Sequence, residues 1–126
     1  MDNRQLIEKA KEAMENSYSP YSNFKVGACL LCKDGTIYTG CNIENSSFGA
    51  TNCAERTAIF KAVSEGKREF LKIAVVGSGE DLTFPCGICR QVMSEFMLDG
   101  EVILEDNNRE IKVFKVRDLL PYAFSL

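Results

Sequence analysis

Histidine is absent from all 126 residues of the chain. That absence removes every Ser–His and Cys–His nucleophile arrangement and every histidine-ligated metal site. No apolar run approaches the ~18–20 residues that a membrane-crossing helix needs, and the N-terminus lacks a signal-peptide pattern. Positive charge is in deficit: 15 basic against 18 acidic side chains leave a net charge of −3, whereas a duplex-binding module needs a basic surface. Internal repeats, low-complexity tracts and Pro/Gly-rich linkers are also missing, so a single domain over residues 1–126 is expected. Cysteine is the residue present in unusual number. Six in 126 is about 5%, short of the ~8–10% of a disulfide scaffold, and nothing directs export. The expectation is reduced thiols in a cytoplasmic protein.

Leu6, Ile7, Ala10, Ala13 and Met14 recur at helical spacing, with Asp2 or Asn3 as the cap of an opening helix. Asn16 to Asn23, which holds Pro20, reads as irregular. Val26 to Cys32 and Thr36 to Cys41 read as strands of a hairpin turning at Asp34-Gly35. A polar loop, Asn42 to Thr51, precedes a helix with Ala54, Ala58, Ile59, Ala62 and Val63 on its apolar side and Gly66 as its stop. Leu71 to Val76 is a continuous β-prone run, the pattern of a strand covered on both faces. Ile88, Val92, Met93, Phe96 and Met97 mark another helix. Val102 to Leu104 and Ile111 to Val116 read as two last strands, followed by a short helical turn at Asp118 to Leu120. The order implies an α/β fold: a three-layer α-β-α sandwich around a mixed sheet of about five strands.

Cys86-Gly-Ile-Cys89 stands at one predicted helix start and Cys53 at another. At i and i+3 the first pair shares a helical face, and helix N-termini favour ionised thiols. If the two helix starts converge, three soft sulfurs suit Zn²⁺ and leave one coordination position open, as catalytic zinc sites require. A closed four-sulfur structural site is the rival, and Cys41 is its one credible fourth ligand. Cys29 and Cys32 also form a C-x-x-C, but strand alternation sends their sulfurs to opposite faces, which suits small apolar core residues. Glu55 has two readings. Asn52-x-x-Glu55 fits a capping box, and a carboxyl two residues after Cys53 fits a general acid/base beside a metal. Arg56 is placed to donate to the sulfurs and offset their excess negative charge. Arg90 is expected to be an exposed helix-surface arginine.

Cys53-Ala-Glu55 with Pro85-Cys-Gly-Ile-Cys89 resembles the signature of zinc-dependent nucleoside deaminases in its all-cysteine form. Tyr21-Ser-Asn-Phe24-Lys-Val-Gly-Ala28, Gly40-Cys-Asn42-Ile-Glu44-Asn45, Cys86-Gly-Ile-Cys-Arg-Gln91 and Leu119-Leu-Pro-Tyr-Ala-Phe124 extend the likeness to the small cytidine deaminases over essentially the whole chain. The resemblance implies hydrolytic deamination of cytidine and 2'-deoxycytidine in pyrimidine salvage. It implies one zinc per subunit on Cys53, Cys86 and Cys89, with Glu55 as proton shuttle. Asn42 and Glu44 would meet the ribose hydroxyls, and Phe24, Phe48 and Ala54 would line the substrate. Phe48 stands where many relatives have tyrosine, so a hydroxyl contact there is not carried over. A homotetramer is implied, with Phe124 entering a neighbour's site, and the partner is a small nucleoside rather than nucleic acid or membrane. Two other readings remain: a deaminase of nucleoside antibiotics, and a non-catalytic zinc-stabilised binding module.

Overall fold

A computed structural model describes residues 1–126. Helix α1 (Asn3–Met14) is capped by Asp2. The Gln5 amide donates to Asp2 Oδ1 at 2.8 Å and the Asp2 amide donates to Gln5 Oε1 at 2.8 Å, a reciprocal pair that satisfies two donors of the open helix end. Strands β1 (Val26–Cys32) and β2 (Ile37–Cys41) form the expected hairpin, with Gly35 at a φ of 92°. Thr36 belongs to the turn rather than to the strand. Then come α2 (Ala54–Ser64), β3 (Phe70–Gly77), α3 (Gly87–Met97), β4 (Glu101–Glu105), β5 (Ile111–Lys115) and the short α4 (Val116–Leu119). The last strand ends one residue before Val116 because that residue turns inward: it is buried, and its amide donates to Gly100 O at 3.0 Å.

The five strands lie in the order β2-β1-β3-β4-β5, with β3 and β4 parallel and the other neighbours antiparallel. Alternation along β1 divides the core. Cys29 and Leu31 pack with Ala74, Val76 and Ile103 against Leu6, Ile7 and Ala10 of α1. Ala28, Leu30 and Cys32 pack with Ile73, Val75, Val102 and Leu104 against α2 and α3. The three layers and the opposite placement of Cys29 and Cys32 follow from that period of two. Two glycines let the helices close on the sheet. A Cβ on Gly27 would stand 2.7 Å from the Met14 amide nitrogen, and one on Gly40 would stand 2.6 Å from Ala54 O and 2.7 Å from Ala58 N.

The topology also decides where the site lies. β2 and β3 are both antiparallel to β1, so both end at the edge where β1 begins; Gly27 is paired with Cys41 there, and Val26 with Gly77. Helix α2 follows β2 and α3 follows β3. Two helix N-termini, and the chain entering β1, therefore meet at one edge of the sheet.

Candidate active site and metal centre

Cys53 is the N-cap of α2 and Cys86 the N-cap of α3, and neither sulfur makes a capping hydrogen bond. Cys89, one turn into α3, is fully buried. The three sulfurs lie within 4.8 Å of one another, and Cys53 Sγ is 3.7 Å from Cys86 Sγ. Two sulfurs bonded at about 2.3 Å to one tetrahedral zinc stand about 3.8 Å apart, so the donor set and its spacing fit that ion. Cys41 lies outside the cluster, which removes the closed four-sulfur site expected as the rival.

Charge in the cluster is arranged around Cys53. Hydrogen bonds from the Cys89 thiol, and then from Arg56 and Cys86, pull the Cys53 thiol well below its ordinary range against the opposing effect of burial. Cys89, donating to that thiolate and itself buried, is pushed up. Arg56 Nη2 donates to Cys53 Sγ at 3.2 Å, as expected from its spacing, and Arg56 Nε is buried without a partner. Arg90 corrects its expectation. It is half-buried, with Nε donating to Pro85 O at 2.8 Å and Nη1 to Leu119 O at 2.9 Å. It joins the entry of α3 to the end of α4 and does not touch the sulfurs.

Glu55 is 4% exposed, and burial pushes its carboxyl up to about 7. The capping-box reading fails because the cap is Cys53 and not Asn52. Asn52 instead donates from Nδ2 to Thr57 Oγ1 at 3.0 Å, and that hydroxyl reaches Cys41 O at 3.1 Å, fastening α2 to the end of β2. The Glu55 carboxyl is thereby left to the cavity.

That cavity, of about 300 Å³, is bordered by Cys53, Ala54, Glu55 and Cys86 on one side and by Phe24, Asn42 and Glu44 on the other. Asn42 and Glu44 are each 9% exposed and also hold the 17–24 segment in place. Asn42 Nδ2 donates to Phe24 O at 2.8 Å, while its Oδ1 accepts from the Val26 amide at 2.9 Å and from the Ser17 hydroxyl. Glu44 Oε1 accepts from the Tyr21 and Ser22 amides at 2.9 and 3.1 Å. The Ser22 hydroxyl, with those amides, keeps the Glu44 carboxyl below the usual carboxylate range.

Two expected residues lie outside the cavity of their own chain. Phe48 is highly exposed and meets Tyr21 edge-on at 5.8 Å between ring centroids. Phe124 is 66% exposed, and its carbonyl accepts from Gln91 Nε2 at 3.3 Å. Sequence reasoning missed Ser22, Val26, Thr51, Asn52, Thr83 and Phe84, which also line the cavity. For Phe84 a signal existed: it immediately precedes Pro85-Cys86, so the chain must pass the mouth of the site there.

Residues 1–105 match the family model described as cytidine and deoxycytidylate deaminase zinc-binding region. The chain is 54% identical over 126 residues to the cytidine deaminase of Sporosarcina psychrophila, covering 99% of this chain and 93% of that protein. It is 52% identical over 126 residues to the cytidine deaminase of Halalkalibacterium halodurans, with 99% and 96% covered. Superposed on the crystal structure of cytidine deaminase from Burkholderia pseudomallei, it gives a TM-score of 0.94 at 51% identity, over 98% of this chain and 100% of that one.

Proposed function

The chain belongs to the cytidine and deoxycytidylate deaminase family, and from that premise we propose that it hydrolyses the C4 amino group of cytidine and 2'-deoxycytidine, giving uridine or 2'-deoxyuridine and ammonia. The observation that carries this reading is the buried Glu55 carboxyl in the same cavity wall as Cys53 and Cys86. Family membership makes zinc the cofactor, and the sulfurs of Cys53, Cys86 and Cys89 are the donors that hold it. When bound, the ion supplies Lewis-acid activation of a water for attack on C4.

Glu55 performs the proton work. Its carboxylate accepts a proton from the attacking water and delivers it to N3 of the pyrimidine. It next takes the remaining proton of the new C4 hydroxyl and hands it to the departing amine, so ammonia leaves as the C4 carbonyl forms. Water and cytidine are consumed, uridine and ammonia are released, and Glu55 returns to its starting state. Phe24 packs against the base, with Ala54 completing its surroundings, whereas Phe48, exposed outside that cavity, takes no part within its own chain. Asn42 and Glu44 meet the ribose hydroxyls, and Glu44 would repel a nearby phosphate. Arg56 withdraws charge from Cys53 and so restores electrophilicity to a centre that three thiolates leave with one excess negative charge.

The assembly is a homotetramer in this reading, with Phe124 reaching a neighbour's cavity. Its exposure, and that of Phe48, Tyr122 and Leu126, supports the assignment. Segments from Ser22 to Cys86 contribute to one cavity, which supports treating residues 1–126 as one catalytic unit. All six cysteines are free, which suits a reducing compartment, so we assign the reaction to pyrimidine salvage in the cytoplasm. No helix is long and apolar enough to cross a membrane.

Glu55→Gln tests the proton carrier. The amide keeps the shape and cannot shuttle a proton, so turnover falls by at least about 100-fold while metal analysis still finds one zinc per chain. Full activity in that variant would remove Glu55 from the mechanism.

A further inference from the structure

The Phe24 ring is one wall of the cavity, and its backbone is held from both sides. Its amide donates to Ser22 Oγ at 3.0 Å, and its carbonyl accepts from Asn42 Nδ2 at 2.8 Å. With the main chain fixed, the ring's position depends on what it rests against. That support is the chain leaving β3. The ladder pairing Val26 with Gly77 continues past the strand: the Lys25 amide donates to Ser78 Oγ at 3.0 Å, and the Ser78 amide donates to Lys25 O at 2.9 Å. Residues 77–79 are therefore fastened alongside the segment that carries Phe24.

Glycine stands on both sides of Ser78. Neither Gly77 nor Gly79 has a positive φ, so backbone freedom does not account for them. Space does. A Cβ on Gly77 would stand 2.7 Å from Phe24 Cζ and would also collide with Thr83 Oγ1. A Cβ on Gly79 would stand 3.0 Å from Phe24 Cε1, and its three nearest atoms would all belong to that ring. A Cβ at Gly77 forces a shift of the ring and of Thr83, and one at Gly79 presses the ring edge back by a few tenths of an ångström.

We propose that Gly77 and Gly79 are positioning residues for the deamination, forming the seat that sets where the Phe24 ring stands and so the width of the slot that receives the base. This rests on reading the cavity as the nucleoside site, with Phe24 against the pyrimidine. The seat acts on binding of the base rather than on proton transfer, because neither glycine touches Glu55 or the sulfurs.

Gly79→Ala is the clean probe, since its new methyl meets the ring alone. In the zinc-loaded protein, KM for cytidine rises about tenfold while kcat changes less than about twofold, with zinc content and Tm unchanged. The same substitution is then made in a Phe24→Leu background. Leucine lacks the Cε1 and Cζ atoms that meet the glycines, so Gly79→Ala there changes KM less than about twofold, a non-additivity that a general structural defect would not produce. An unchanged KM in Gly79→Ala, or the same rise in both backgrounds, overturns the proposal. Failure of Gly79→Ala to fold also counts against it, because the ring would not then be the methyl's only obstacle. If Phe24→Leu alone leaves KM unchanged while the unsubstituted protein deaminates cytidine, the placement of the base is wrong and the seat falls with it. Absence of deamination by the unsubstituted protein points instead to failure of the functional reading.

Discussion

Cysteine serves two ends in this chain, and its placement separates them. Cys29 and Cys32 sit inside β1 on opposite faces of the sheet, where burial pushes both thiols up, keeps them protonated and makes them small apolar fillers. Cys53, Cys86 and Cys89 stand at two helix starts, and there Arg56 donates to Cys53 Sγ and favours the thiolate of that residue. The difference predicts a contrast in metal content. Cys53→Ala falls from one zinc per chain to essentially none, whereas Cys41→Ala, outside the cluster, keeps its ion; elemental analysis after gel filtration reads both. Retention of zinc by Cys53→Ala would mean that the donor set has been misassigned. The convergence of these three sulfurs was legible from residue type and spacing because helix starts announce themselves in a sequence. The orientation of Arg90 was not, since its partners, Pro85 O and Leu119 O, are backbone carbonyls that no side-chain pattern advertises.

Among the elements, α2 carries both Cys53 and Glu55, so its depth on the sheet matters to chemistry as well as to stability. Gly40 of β2 lets the backbone of α2 approach, and Gly27 of β1 does the same for α1 on the far face. Both contacts are with helix backbone, which cannot swing aside as a flexible side chain can. Gly40→Ala and Gly27→Ala should each cost about 1–3 kcal/mol in denaturant unfolding. Only Gly40→Ala should also weaken zinc retention against a chelator, because it displaces the helix that begins at Cys53. Equal zinc retention in the two variants would separate the height of α2 from the site. Helices and strands were readable from periodicity within a residue or two at most ends. The start of α2 was ambiguous, since Asn52 satisfies the capping pattern as well as Cys53 satisfies the ligand pattern. The tie is broken by Thr57, whose hydroxyl takes the Asn52 side chain and anchors it to Cys41 O, a contact between elements that local sequence does not encode.

For the molecule as a whole, strand direction does the assembling. Because β2 and β3 both run against β1, the starts of α2 and α3 and the chain entering β1 arrive at one sheet edge, where Phe24, Cys53 and Cys86 border one cavity. The three-layer order was visible in the sequence as an alternation of patterns. The cavity's lining was less so: Thr83 reaches it only through the fold, and Phe48 and Phe124 do not line the cavity of their own chain. The acidic balance of the chain and the Glu44 carboxylate favour an uncharged nucleoside over a nucleotide. The most direct measurement is therefore the loss of cytosine absorbance on mixing the purified, zinc-loaded protein with cytidine, with 2'-deoxycytidine, CMP and an antibiotic nucleoside run in parallel. Cytidine and 2'-deoxycytidine should both be consumed with one ammonia released per uracil nucleoside formed, and CMP should react at least about tenfold less efficiently because its phosphate meets Glu44. Unchanged cytidine in the presence of full zinc occupancy, or consumption of the antibiotic alone, would contradict the account.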